Sequence, residues 1–94
     1  MRVRYTPEAF SDREQIIEYL GERSAIGARN VAASIRKTVA QLKDHPQSGY
    51  RTDDPDVRVI FVARYPYKIF YRVRDEVEIL HIRHTSRRAW TGDR

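Results

Sequence analysis

The chain has 94 residues, with 18 Lys and Arg against 13 Asp and Glu, a formal charge of +5 at pH 7, and no cysteine. That length supports one modest core and a single domain over 1–94, and the missing thiols exclude disulfides and argue against a structural zinc site. No apolar run approaches the roughly 20 residues that span a bilayer, and Met1-Arg2-Val3-Arg4-Tyr5 leads into a polar helix start, so neither membrane insertion nor export is expected. A cytoplasmic protein with an anionic partner, nucleic acid or acidic protein, is the expectation.

Val3 and Tyr5 alternate with Arg2 and Arg4, the period of a short strand that stops at Thr6-Pro7. Thr6 is a suitable cap and Pro7 a suitable first residue for a helix running to Gly21, with Glu8 complementing the dipole. Phe10, Ile17 and Leu20 follow one helical face, which Ile16 and Tyr19 widen, so the stripe is expected to be buried. Ser24 is the next cap. From Ala28 the series Val31, Ala32, Ile35, Val39, Leu42 keeps helical steps until Asp44, where Pro46 biases His45 away from helical dihedrals. The short connection predicts an antiparallel helical hairpin.

Residues 47–56 are polar and read as a surface loop. Three β-rich runs follow, 57–64, 67–74 and 77–83, separated by Tyr65-Pro66 and Asp75-Glu76, which predicts an antiparallel meander. If both connections are two residues long, Tyr67, Ile69, Tyr71 and Val73 share a face with Ile60, Val62, Leu80 and Ile82, the set suited to a helix-covered core. The reverse face then shows Val59, Phe61, Phe70, Ile79 and His81 among Lys68, Arg72 and Arg83. A one-residue slip exchanges the faces. The fold class is α+β, with an N-terminal strand, a helical hairpin on one sheet face, a three-stranded meander and a basic tail over 84–94.

Charge is unevenly spread. Glu8, Asp12, Glu14, Glu18 and Glu22 concentrate acid in the first helix, whereas Arg58, Arg64, Lys68, Arg72 and Arg74 lie in a stretch with no acid. The positive field is therefore expected in the C-terminal half.

The order of these elements, with Leu42-Lys43-Asp44-His45-Pro46 and Gly49, then Asp54-Pro55-Asp56-Val57-Arg58, resembles the RelE/ParE superfamily of type II toxins. The segments Tyr65-Pro66-Tyr67-Lys68-Ile69-Phe70-Tyr71-Arg72-Val73 and Val77 through Arg88 look closer to the ParE-like branch. The resemblance runs from about Tyr5 to Trp90. It implies a growth-inhibiting toxin of the plasmid-stabilisation kind, held in a hetero-oligomer by a cognate antitoxin and acting on DNA gyrase without chemistry of its own. The alternative it implies is a RelE-like ribonuclease that enters the ribosome and cuts mRNA. In such a comparison Lys68 falls where a catalytic Arg often sits, and the C-terminal Tyr has no secure counterpart, since Trp90 lacks a hydroxyl.

Under the gyrase reading the target-binding residues are Arg58, Lys68, Arg72, Arg83, Arg87, Arg88 and Trp90, and no residue is catalytic. Under the ribonuclease reading Lys68, Arg83, His84 and Arg87 bind the scissile phosphate and move protons. Phe61, Phe70 and Ile79 form the apolar patch for an antitoxin segment, with homodimer burial the other use of that patch. A solvated basic tail is the plain reading of Arg83, Arg87, Arg88 and Trp90, and a solvated strand end that of His84. Arg58 and Lys68 either contact a target or pair with Asp53, Asp54 or Asp56. No cofactor or metal is called for: there is no Gly-rich phosphate loop and no His and carboxylate at ligand spacing on a common helix. A plain nucleic-acid-binding module is a third class, weakened by the lack of a groove-reading helix or RNA-binding signature.

Overall fold

Thr6 sets the first helix. Its backbone is extended (φ −70°, ψ 162°), its hydroxyl accepts from the Ala9 amide, and Pro7 occupies the first helical position, so α1 spans Pro7–Gly21. The Ser24 hydroxyl likewise accepts from the Gly27 amide at 2.9 Å and starts α2, Ala25–Asp44. A computed structural model describes residues 1–86, in which the helices are accompanied by β1 (Val3–Tyr5), β2 (Tyr50–Arg51), β3 (Arg58–Phe61), β4 (Tyr67–Val73) and β5 (Val77–His84).

The strands form one sheet in the order β1-β5-β4-β3-β2. The expected meander is its centre, antiparallel throughout, and β1 adds to β5 in parallel, Val3 opposite Val77 and Tyr5 opposite Ile79. The segment expected to be wholly loop contributes β2, which pairs Tyr50 with Val59 and Arg51 with Arg58. Thr52 closes the turn behind it, its hydroxyl donating to the Val57 carbonyl at 2.9 Å.

Both helices cover one sheet face, and Ile35, Leu42, Ile69, Tyr71, Val77 and Ile79 form the fully buried centre between the layers. The face of α1 differs from expectation. Ala9 is buried and Ile16 and Leu20 pack on the core, whereas Phe10 and Tyr19 are more than half exposed. Small Ala9 lets the helix approach the sheet, and Asp12 turns it: one carboxylate oxygen accepts from the Ile82 amide at 3.0 Å and lies 2.9 Å from His81 Nδ1. The edge of β5 beyond the end of β1 is thus hydrogen-bonded by a helix side chain.

Register decides which side chains reach which face. Between β3 and β4 the pairing is Ile60 with Ile69, not Ile60 with Tyr71 as two-residue connections require. The Val62 amide bonds to the Tyr67 carbonyl at 2.9 Å, so residues 63–66 make the turn, with Arg64 at φ 73°. That two-residue shift preserves both faces. Between β4 and β5 a bulge intervenes: Phe70 opposes His81 but Tyr71 opposes Ile79, leaving Leu80 as the extra residue. Ile79, expected on the open face, therefore sits at 0% exposure in the core, and Leu80, expected in the core, packs beside Phe70 on the other side.

Candidate functional site

The face opposite the helices carries Val59, Phe61, Lys68, Phe70, Arg72, His81 and Arg83, as alternation predicted, with only Ile79 exchanged for Leu80. Lys68 and Arg83 are direct cross-strand partners, an arrangement of like charges that a sheet does not favour by itself. Both converge on one ring: Lys68 Nζ is 5.5 Å and Arg83 Cζ 5.8 Å from the Phe70 centroid. Phe70 is 2% exposed and Lys68 8%, so this cation is held against the sheet with its alkyl stem covered.

Beside this cluster lies a cavity of about 380 Å³ lined by Arg51, Thr52, Asp53, Val59, Phe61, Lys68 and Phe70. Phe61 in its wall meets Tyr50, outside the cavity, edge to face at 6.1 Å, and both rings are largely exposed. Arg51 and Thr52 were not among the expected site residues, and Asp53 was named only as an ion-pair partner for Arg58 or Lys68; the available signal was Tyr50-Arg51-Thr52, a short β-prone stretch next to Gly49.

The loop before β2 is fixed from behind. Tyr71 Oη accepts from the Gly49 amide at 2.8 Å and donates to the Pro46 carbonyl at 2.9 Å. Burial raises the Tyr71 hydroxyl pKa above its ordinary value, with the Gly49 amide bond opposing the shift. Arg58 joins this staple, donating to the Gly49 carbonyl at 2.9 Å and the Gln47 carbonyl at 3.3 Å. It pairs with Tyr71 on the helix side of the sheet, away from Lys68 and Arg83, and the three Asp residues suggested as partners do not bond it.

Arg72 lies on the open face but its charge is matched. Its Nε donates to Glu78 at 2.5 Å, and the same carboxylate takes Arg4 at 2.5 Å, giving a ladder across β4, β5 and β1. Hydrogen bonds from Arg72 and then Arg4 hold the Glu78 carboxyl below its ordinary pKa, against the smaller opposing effect of desolvation. His81 and His84 oppose Phe70 and Tyr67 respectively and so lie on opposite faces. His84 stacks edge-on at 5.6 Å over Tyr67, its Nδ1 2.8 Å from Ser86 Oγ, while His81 faces Asp12. The geometry thus brings together Lys68, Arg83, Phe61 and Phe70, with Arg72 on the same face but engaged by Glu78, and it places Arg58, His84 and Ile79 on the other face. Arg87, Arg88 and Trp90, with the tail beyond Ser86, lie outside the described residues.

An aromatic floor, a cavity and a cationic rim suit the binding of an apolar anchor flanked by carboxylates. No group of three His, Asp or Glu among the described residues is arranged to hold a metal ion, and no described helix is long and apolar enough to cross a membrane.

This architecture is that of the small α+β toxins of toxin–antitoxin systems. A solved structure described as the chromosomal ParDE TA system from P. aeruginosa superposes with a TM-score of 0.69 at 25% identity, covering 92% of this chain and 97% of that one. The family model "ParE toxin of type II toxin-antitoxin system, parDE" matches residues 3–89, and the chain belongs to that family. Among similar proteins, Y4kP of Sinorhizobium fredii is 32% identical over 83 residues, covering 88% of this chain and 86% of its own length. Toxin RelE2 of Caulobacter vibrioides is 32% identical over 87 residues, covering 92% and 97%. The RelE/ParE resemblance and the fold it implied are therefore borne out, and the protein is a toxin of the type II class.

Proposed function

We propose that this toxin arrests growth by binding DNA gyrase in the cytoplasm and poisoning it, and that its antitoxin neutralises it by docking on the open sheet face. The observation that carries the reading is the match to the ParE family across residues 3–89. The geometry of the histidines supports it: acid–base cleavage of RNA needs two proton-transferring groups around one phosphate, and His81 and His84 lie on opposite sides of the sheet. Lys68 and Arg83 fit a binding role, holding carboxylates or phosphates at the rim of an aromatic cavity.

The test adds the purified full chain to gyrase with supercoiled plasmid, and in parallel to ribosomes programmed with mRNA. Gyrase-dependent linear or cleaved DNA, suppressed by the antitoxin, is the expected result. Codon-phased mRNA cuts with no gyrase-dependent DNA cleavage overturn it in favour of the ribonuclease reading, which the similarity to a protein named RelE2 favours and in which Lys68 and Arg83 would bind the scissile phosphate.

A further inference from the structure

From Arg23 to Lys43 the sequence contains Arg23, Arg29, Arg36, Lys37 and Lys43 and neither Asp nor Glu. Positive charge is thus not confined to the C-terminal half, where it was expected. In the structure it becomes a surface: Arg29, Ala33, Arg36, Ala40 and Lys43 follow steps of four and three along α2, and all are exposed. Arg29, Arg36 and Lys43 are seven residues apart, about 10 Å at 1.5 Å per residue, with alanines between them and Lys37 alongside. None of these four cations takes part in a salt bridge among the described residues, in contrast to Arg4, Arg13 and Arg72.

We infer that the exposed flank of α2 is a docking surface for the phosphate backbone of a nucleic-acid duplex. A 20-residue helix is about 30 Å long, and its cations follow one another along a single flank that a phosphate backbone can track. Alanine spacers let that backbone approach, and arginine forks suit phosphate oxygens. The flank carries no aromatic side chain on which an unpaired base would stack, which favours a duplex over a single strand. Contacts from these side chains to phosphate oxygens carry no base information, so the docking is indifferent to sequence. The surface is independent of the open sheet face, and the inference does not depend on the toxin's target.

The test is fluorescence anisotropy with full-length protein made by cell-free synthesis, titrated against a 30-base-pair DNA duplex, an RNA duplex of equal length and polyglutamate. Variant R29A/R36A/K43A removes the row; R23A/R64N/R74A removes the same formal charge elsewhere, and circular dichroism checks that both fold. With four phosphate contacts the wild-type affinity for DNA falls about 150-fold between 50 and 200 mM salt, whereas the row variant, keeping Lys37, falls about threefold to fourfold. The control variant keeps the wild-type slope. Binding of DNA or RNA with these slopes supports the inference, and the tighter of the two identifies the source of the phosphates. Equal loss in both variants, absence of duplex binding at 50 mM salt, or binding of polyglutamate alone overturns it.

Discussion

Replacing Tyr71 by Phe tests whether the wall of the open-face cavity is held from behind by one hydroxyl. Tyr71 is 0% exposed, and its hydroxyl joins the Gly49 amide to the Pro46 carbonyl, two groups in the loop that delivers Tyr50 and Arg51 to the sheet edge. A net hydrogen bond contributes about 1 kcal/mol, and stranding a buried donor costs about 1–3 kcal/mol. Gly49 is buried and Pro46 only half so, which makes the amide the dominant loss and gives about 2–3 kcal/mol in total. For a domain of this size that lowers Tm by roughly 10–20 °C. Gly49→Ala probes the same contact from the other side, because an added Cβ lies 2.5 Å from Tyr71 Oη, 2.7 Å from its Cε1 and 2.9 Å from the Val59 carbonyl. Deleting the hydroxyl relieves only the first clash. Gly49→Ala should therefore cost less in the Tyr71→Phe background than in wild type, while remaining destabilising. Thermal and urea melts of the four proteins measure this cycle. A Tm change under about 2 °C for Tyr71→Phe, or strict additivity, refutes the staple.

The Glu78 carboxyl is held below its ordinary pKa by Arg72 and Arg4, so its stabilising effect is complete above that ordinary value and is lost as pH falls through the lowered one. Melting temperature followed from pH 7 into the acid range should show this loss in wild type, and Glu78→Gln should flatten that part of the profile. The bulge is tested by truncation: Ile79→Ala should cost about 2–5 kcal/mol and Leu80→Ala about 1 kcal/mol in urea unfolding, and the reverse order would restore the simple hairpin register. Phe61→Asp, at a side chain 51% exposed, should change stability by about 1 kcal/mol or less. By calorimetry it should weaken antitoxin binding at least about tenfold, as removal of an interface anchor does; affinity within about twofold of wild type removes the cavity from that interface.

Much of the fold was legible because local signals agreed. Thr6-Pro7 and Ser24 are caps whose chemistry does not depend on distant residues, and the apolar series through Val31, Ile35, Val39 and Leu42 has one helical solution. The open face was legible for the same reason, since alternation in β4 places Lys68, Phe70 and Arg72 together whatever the neighbour's register. What failed depended on long-range partners. The bulge at Leu80 leaves no mark in local composition, and it moved Ile79 from the expected binding patch into the core. The rotation of α1 depends on Asp12 reaching a strand 70 residues away, which turned Phe10 outward. Arg58 and Arg72 appeared available because nothing local names the Gly49 carbonyl or Glu78 as their partners. The basic row on α2 was legible and was overlooked, because a count by segment hides a stripe that only the helical period reveals.

The bulge also bears on what kind of site this is. With an unbroken hairpin, every second residue of β5 would face the same way, and Ile79, His81 and Arg83 would make a continuous open strand beside Phe70. The extra residue ends that continuity: below it Ile79 and Val77 fill the core, above it His81 and Arg83 face outward, and Leu80 packs beside Phe70. The cationic end of β5 is thus carried on a strand whose other end is locked under the helices. Asp12 fixes the junction by bonding Ile82 and facing His81, which commits that imidazole to a structural contact. The paired cations Lys68 and Arg83 are held 5.5 and 5.8 Å from the Phe70 centroid by that scaffold. Cations preset around a buried aromatic ring by a scaffold of this kind lose little freedom when a ligand arrives, which is what a preorganised binding surface requires.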